Sequence, residues 1–355
     1  RRYTTDMYTA SVALPAVYGT GSPKGNNAEM KTDGWELSLS WRDSFKLGGK
    51  PFDYSIKAMV WDSKSVITKY VNDTGSLGTV KGFIENGGSP SSYYVGMTVG
   101  EIWGYTVAGL FRDQADIDSS AIHDFVQASD KVTRPGQVKI ADLDGNGFID
   151  PGNFAVDDHG DLRIIGNQSP RYRYGVNLSA RWNGIGLSVF LQGVGARDWY
   201  PGSDAGMFWG KYGRPFFALI PSIHNYTDDM YSAERNNWDT AYWPRMTTYQ
   251  SNGTKNWTRL LEIPNTRYIQ SAAYLRVKNI QLDYSFPKHI CSAIRLQGLK
   301  IYVNAENLFT FTPLHKYAPN FDPEGLSYDS DFASAADGYT YPILKSVTVG
   351  VNITF

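Results

Sequence analysis

The sequence has 355 residues, with 34 Lys and Arg against 35 Asp and Glu and a formal charge of −1. It therefore lacks the basic excess that a nucleic-acid binder sets against phosphates. Charged residues make up 19% and aromatics 14%, a balance that excludes intrinsic disorder, and no run of roughly 18 apolar residues occurs to form a transmembrane helix.

The chain opens Arg1-Arg2-Tyr3 with no basic segment leading into an apolar stretch. Residues 1–9 read as a strand, and the chain is expected to be the C-terminal piece of something longer. Gly 35 and Pro 17 disfavour long helices. Several later segments alternate with period two, as a strand with two unlike faces must. Trp35, Leu37, Leu39 and Trp41 alternate with Glu36, Ser38, Ser40 and Arg42. Phe52, Tyr54, Ile56, Ala58 and Val60 share the apolar face of the next strand. Tyr172, Tyr174, Val176, Leu178, Ala180 and Trp182 face away from Arg171, Arg173, Asn177, Ser179 and Arg181. Leu187, Val189 and Leu191 form one face of the strand after that. Between Leu275 and Phe286 the phase slips near Lys278-Asn279, which predicts a β-bulge. Leu299, Ile301, Val303 and Ala305 come next, and Val347, Val349, Val351, Ile353 and Phe355 end the chain.

A soluble sandwich also alternates, but here the apolar faces end in aromatics (Trp35 and Trp41, Tyr172 and Trp182, Tyr284 and Phe286, Phe355), as at two membrane interfaces. The polar faces carry Arg and Lys, which suits a wet lumen. Short links at 46–51, 183–186 and 287–298 alternate with long ones of about 20, about 100, about 70 and about 30 residues, far beyond the usual loop of a few residues. Outer-membrane barrels have short periplasmic turns and long extracellular loops. The expected fold is thus all-β, a transmembrane antiparallel β-barrel of about eight strands with long extracellular loops at about 71–170 and 201–270. Loops of that mass suit a barrel wider than eight strands, whose interior side chains alone would fill.

Several stretches, in order, sharpen this. The first is Val95-Gly96-Met97-Thr98-Val99-Gly100-Glu101-Ile102-Trp103-Gly104-Tyr105 with Ala108-Gly109-Leu110-Phe111. Gly136-Gln137-Val138-Lys139, Asp142-Leu143-Asp144-Gly145-Asn146-Gly147-Phe148-Ile149-Asp150 and Ile165-Gly166-Asn167-Gln168-Ser169-Pro170 follow. Then come Tyr274-Leu275-Arg276-Val277-Lys278-Asn279, Tyr302-Val303-Asn304-Ala305-Glu306-Asn307-Leu308-Phe309-Thr310 with Asp322-Pro323-Glu324, and Val349-Gly350-Val351-Asn352-Ile353-Thr354-Phe355. Together these resemble the C-terminal third of SusC-like TonB-dependent transporters, the outer-membrane nutrient importers of Bacteroidetes. The resemblance implies that residues 1–355 are the last eight or so strands of a 22-stranded barrel whose plug domain lies outside this chain. It also implies a location in the outer membrane of a Gram-negative cell and TonB acting through the plug region. A SusD-like lipoprotein would dock on the extracellular face, and the cargo would be an oligosaccharide or a peptide.

Within the long loops, Asp142, Asp144, Asn146, Gly147 and Asp150 fit positions one, three, five, six and nine of a calcium loop, with the Phe148 carbonyl at seven. Oxygens at alternate positions with Gly at the sharp turn are what a hard cation needs, so structural Ca2+ is expected. Position twelve is Asn153 rather than Glu, with Asp157 or Asp158 as substitutes. The other reading is a plain Asp-Gly turn. The 201–270 loop is dense in aromatics. Trp209, Tyr212, Trp238 and Trp243 are candidates for contact with substrate or lid, against the reading that such rings pack the loop onto itself. Phe355 is the C-terminal aromatic that the family presents to barrel-assembly machinery. Five histidines show no paired metal spacing, and no nucleophile elbow or Walker loop occurs, so no catalysis is expected. His289 and Cys291 are expected at the surface of a periplasmic turn. The rival reading is a secreted, calcium-stabilised β-sandwich that binds or hydrolyses glycans.

Overall fold

The structure is a computed structural model that describes residues 1–11, 24–70, 77, 93–123, 133–201, 229–245, 264–326 and 343–355. Its strands, in chain order, are β1 (Arg2–Ser11), β2 (Lys24–Leu47), β3 (Lys50–Lys69), β4 (Glu101–Tyr105), β5 (Val107–Leu110), β6 (Val138–Ile140), β7 (Leu162–Asn167), β8 (Arg171–Trp182), β9 (Ile185–Ala196), β10 (Asp198–Trp199), β11 (Gln270–Ser271), β12 (Tyr274–Ser285), β13 (Gly298–Phe311) and β14 (Ser346–Thr354). Among the described residues, two short α-helices, α1 (Gln114–Asp118) and α2 (Lys288–Ala293), accompany them.

Eight of these strands form one antiparallel wall in the order β1-β2-β3-β8-β9-β12-β13-β14. Among the described residues the sheet does not close on itself, and three further strand pairs, β4 with β7, β5 with β6 and β10 with β11, lie in the connections. Because wall neighbours succeed each other along the chain, links fall at alternate ends, and link length sorts as the sequence suggests. At one end are the two-residue turns Gly48-Gly49 (φ 60 and 79) and Asn183-Gly184 (φ 48 and 87). Left-handed backbone at both turn residues matches the twist of a tight hairpin, which Gly and Asn accept. The helix α2 joins β12 to β13 at that same end, and all the long connections lie at the other.

The cross-strand register aligns the apolar faces. Trp41, Ile56, Leu178, Val189, Ile280, Ala305 and Val347 form one row across seven strands. Phe45, Phe52, Trp182, Ile185, Tyr284, Ile301 and Val351 form another, nearer the short turns. Slipping any strand by one residue would turn its apolar set to the other face, so agreement over seven strands fixes the register. The aromatics Phe45, Phe52 and Tyr54 cluster at the turn end, while Phe309 and Phe311 close the belt above. The predicted bulge is present, with the register of β12 shifting between Val277 and Asn279 against both neighbours.

This belt is not the core. Leu39, Val349 and Phe355 are 62%, 73% and 82% exposed, which a soluble sandwich would not tolerate over such an area. Burial occurs instead in the long connections. One cluster joins Leu110, Val138, Trp199, Met230, Tyr231, Trp243, Tyr268, Leu314 and Phe321; another joins Leu77, Tyr94, Tyr105, Ile140, Ile149 and Leu162.

Two expectations need correction. The β2–β3 hairpin runs to 24 and 20 residues, well beyond the alternating stretches at 35–41 and 52–60. Its polar upper part continues the ladder where no apolar signal marks it, reaching about 80 Å at about 3.3 Å per residue. Cys291 is buried rather than at the surface, because α2 folds it beneath the turn, with Sγ 3.7 Å from the Phe286 carbonyl.

Candidate functional site

The long β3–β8 connection holds the acidic loop. Asp142 accepts hydrogen bonds from the backbone N–H of Gly145 at 2.6 Å and of Gly147 at 2.9 Å, which closes the turn. Both glycines have positive φ (75 and 85), so a side chain at either would strain it. These donors favour the charged carboxylate, and the Gly147 N–H is the main reason the Asp142 pKa lies below the usual range. Asp144 accepts from the Asn146 backbone at 3.0 Å and side-chain amide at 3.1 Å. The same Asn146 amide donates to Asp150 at 2.9 Å, so it bridges two carboxylates that would otherwise repel.

Asp142, Asp144 and Asp161 each place a carboxylate oxygen within 4.8 Å of the others. Asp161 was not legible in the sequence as a member of this group. It comes from beyond the 142–150 loop, is fully buried, and accepts from the N–H of Leu143 at 2.6 Å and of Asp150 at 3.0 Å. Burial raises its pKa. The only available signal was the run of acids after Pro151-Gly152, from which Asp157 and Asp158 stood out instead; both are exposed. Asn153, at position twelve, turns its amide to the Asp158 carboxylate. The Phe148 side chain is exposed, while its N–H donates to Asn146 at 2.7 Å. A cluster of carboxylate oxygens fits a hard divalent cation by its chemistry.

His123 supports this loop from behind. Its Nε2 accepts the Ile140 N–H at 3.0 Å, so Nδ1, 2.8 Å from the Ala121 carbonyl, carries the proton. Burial lowers its pKa, keeping the ring neutral.

Of the aromatic candidates, Trp209 and Tyr212 lie outside the described residues. Trp238 is partly buried against the first cluster. Trp243 is 1% exposed. It stacks on Tyr268 (centroids 5.8 Å apart, 15°) and meets the edge of Tyr242 (5.0 Å, 81°). Tyr242 in turn stacks face to face on Tyr317 at 3.5 Å. Trp243 thus packs the loop onto itself and has no face free for a ligand. Phe355 ends the chain just after β14, exposed, on the apolar face.

Two sequence motifs acquire a role that their residue types did not announce. Arg276 on β12 is 2% exposed and donates to Asp322 at 2.6 Å, Glu324 at 2.7 Å and Thr310 at 3.0 Å, while Lys278 shares Glu324 at 2.8 Å. The 313–326 segment is thereby tied to the wall. Arg197 adds bonds to the carbonyls of Pro323, at 3.0 Å, and Leu326. A comparable tie joins Asp62 on β3 to Arg171, whose guanidinium grips both carboxylate oxygens at 2.6 and 2.5 Å.

No family model matches the sequence. Two curated relatives from Formosa agariphila match nearly all of it. TonB-dependent receptor P3 is 24% identical over 350 residues, covering 96% of this chain and 30% of the relative. TonB-dependent receptor P26 is 22% identical over 357 residues, covering 99% and 32%. The chain spans about a third of the length of these relatives. Among solved structures, the RagAB peptide importer in its closed-closed state aligns over 99% of this chain and 32% of its own, with TM-score 0.59 and 17% identity. The RagAB peptide transporter gives TM-score 0.55 and 16% identity. Likeness along nearly the whole sequence, together with the order of the wall strands, identifies the chain as similar to SusC-like TonB-dependent receptors, over the C-terminal portion of the barrel.

Proposed function

We propose that this chain is the C-terminal wall of an outer-membrane importer in a Gram-negative bacterium of the Bacteroidetes type. On this reading it moves an oligosaccharide or a peptide inward, with energy delivered by TonB through a plug region outside this chain. A SusD-like lipoprotein docks on the long connections, which face outward. The carrying observation is the apolar belt aligned over seven strands, edged by aromatics and backed by a charged polar face. The peptide importer named among the structural neighbours supports the peptide alternative. Ca2+ would be held by Asp142, Asp144, Asn146, the Phe148 carbonyl and Asp150, joined by Asp161. It would offset the carboxylate charge and pin the loop.

The test is uptake of labelled peptides and oligosaccharides by cells carrying or lacking the gene, with and without a protonophore. Accumulation that needs both the gene and the proton gradient supports active import. Uptake indifferent to either refutes it.

A further inference from the structure

The outward face of the wall changes character just above the apolar belt on β1, β2 and β3. On β2 the belt runs from Phe45, near the short turn, to Trp35, and both residues are 51% exposed. The ten steps between them rise about 33 Å along the strand, and about 25 Å along the membrane normal at a tilt of about 40°. That is the height of one hydrocarbon band, so Trp35 stands at the upper girdle. Asp33 and Lys31 come next on the same face, about 5 and about 10 Å higher, at the depth of lipid headgroups. The register carries this face onto the neighbouring strands, with Lys64 opposite Asp33 and Tyr3 opposite Lys31. Arg1 and Lys31 both reach the Asp33 carboxylate, at 2.6 and 2.8 Å.

Cations outnumber carboxylates here. Asp33 is shared by Arg1 and Lys31, while Lys64 is exposed and makes no hydrogen bond or ion pair with any described residue. Asp62, opposite Trp35, is held by Arg171 at 2.5 Å, and Glu29 by Lys69 at 3.3 Å. Arg1, Lys31 and Lys64 thus carry two positive charges more than Asp33 offsets. A barrel wall is one strand thick, so its outward face stays free whatever fills the interior. β2 and β3 also have both ladder neighbours within this chain. A phosphate monoester brings a charge of about −1.5 to −2 and several acceptor oxygens near pH 7, which fits the surplus. A zwitterionic headgroup brings no net charge. The Tyr3 ring, 62% exposed beside Lys31, suits a sugar that carries the phosphate.

We propose that Lys31, Lys64 and Arg1, set around Asp33, bind the phosphate of a phosphorylated glycolipid in the outer leaflet, whose acyl chains lie on the belt below. This rests on reading the belt as lipid-facing and the long connections as outward.

The experiment uses the intact receptor in phosphatidylcholine nanodiscs that contain either monophosphoryl lipid A or the same lipid with its phosphate removed. Native mass spectrometry counts the lipid that stays bound. The phosphorylated form should bind with about a tenfold lower Kd than the dephosphorylated one. That preference should vanish when Lys31→Gln and Lys64→Gln are combined, and persist when Lys31→Arg and Lys64→Arg are combined. It should also shrink on going from about 50 to about 500 mM salt. Equal binding of the two lipids, a preference that survives the paired Gln substitutions, or displacement of the lipid by millimolar inorganic phosphate would overturn the proposal. Leu37→Cys separates the two levels, because the native Cys291 is buried. A bimane attached there should be quenched by brominated acyl chains. If it is not quenched, the lipid-facing reading of the belt fails. If it is quenched while the phosphate preference is absent, only the headgroup site fails.

Discussion

The wall and the long connections use the same residue types in opposite ways. On the wall, Leu39, Ile301, Val349 and their row-mates are apolar and exposed, and little side-chain burial holds the strands together beyond the ladder itself. In the connections, Trp243, Tyr268, Tyr105 and Phe321 are almost fully enclosed, and charged ties such as Arg276 with Asp322 and Glu324 fasten the folded loops to the strand tops. A sheet whose apolar face meets solvent is stable only where that solvent is hydrocarbon, whereas a loop mass in water has to build its own core. The molecule therefore has two stabilities, one supplied by the bilayer and one by packing, and substitutions should separate them.

The sharpest separation comes from Arg276. Replacing it with Ala leaves Asp322 without its cation and Glu324 with Lys278 alone. These carboxylates are 22% and 27% exposed, so the loss is at or below the roughly 3–5 kcal/mol of a fully buried pair. Hydrogen exchange over residues 313–326 should rise strongly while β8 and β9 stay protected. Equal deprotection of both would mean that the tie and the wall are one cooperative unit.

Next comes the wall itself. Val349→Arg puts a cation on the exposed apolar face, at a cost of about 2–4 kcal/mol near the bilayer midplane, whereas Asn352→Arg on the polar face should cost little. Urea titration of the receptor in liposomes measures both. Similar losses would show that the two faces of β14 do not meet different solvents.

The acidic loop should respond to pH and cation while the wall does not. Burial raises the Asp161 pKa, so with no cation the stability this group contributes is full at low pH and lost as pH rises through that raised value. A bound cation favours the ionised form and reverses the sign. Calcium should then order residues 142–161 at neutral pH and lose affinity on acidification, starting above the pH where ordinary carboxylates titrate. Asp144→Ala should abolish the calcium response and leave β content unchanged. Calorimetry at two pH values decides, and a pH-independent affinity, or none, sinks the cation reading.

The smallest effect on the folded molecule is expected at Phe355, whose ring is 82% exposed in this chain. Deleting it should barely alter the melting of folded protein yet lower the amount that reaches the outer membrane, read by heat-modifiable mobility in membrane fractions. Undiminished yield would remove its role in assembly.

Sequence alone determined the wall. Period-two alternation is a local property of an extended chain between two unlike media, so the faces of β8, β12 and β14, the bulge at Lys278 and the alternation of link lengths were readable before any contact was known. The ends of β2 and β3 were not, because polar ladder above the belt has no solvent contrast to reveal it. Only tertiary structure decided the rest. Asp161 joins Asp142 and Asp144 through backbone hydrogen bonds, Arg276 finds Asp322 and Glu324 across a loop, and Trp243 is spent on packing rather than left for a ligand. Those partners lie far apart along the chain, and no local periodicity encodes which distant groups a folded loop or sheet will bring together.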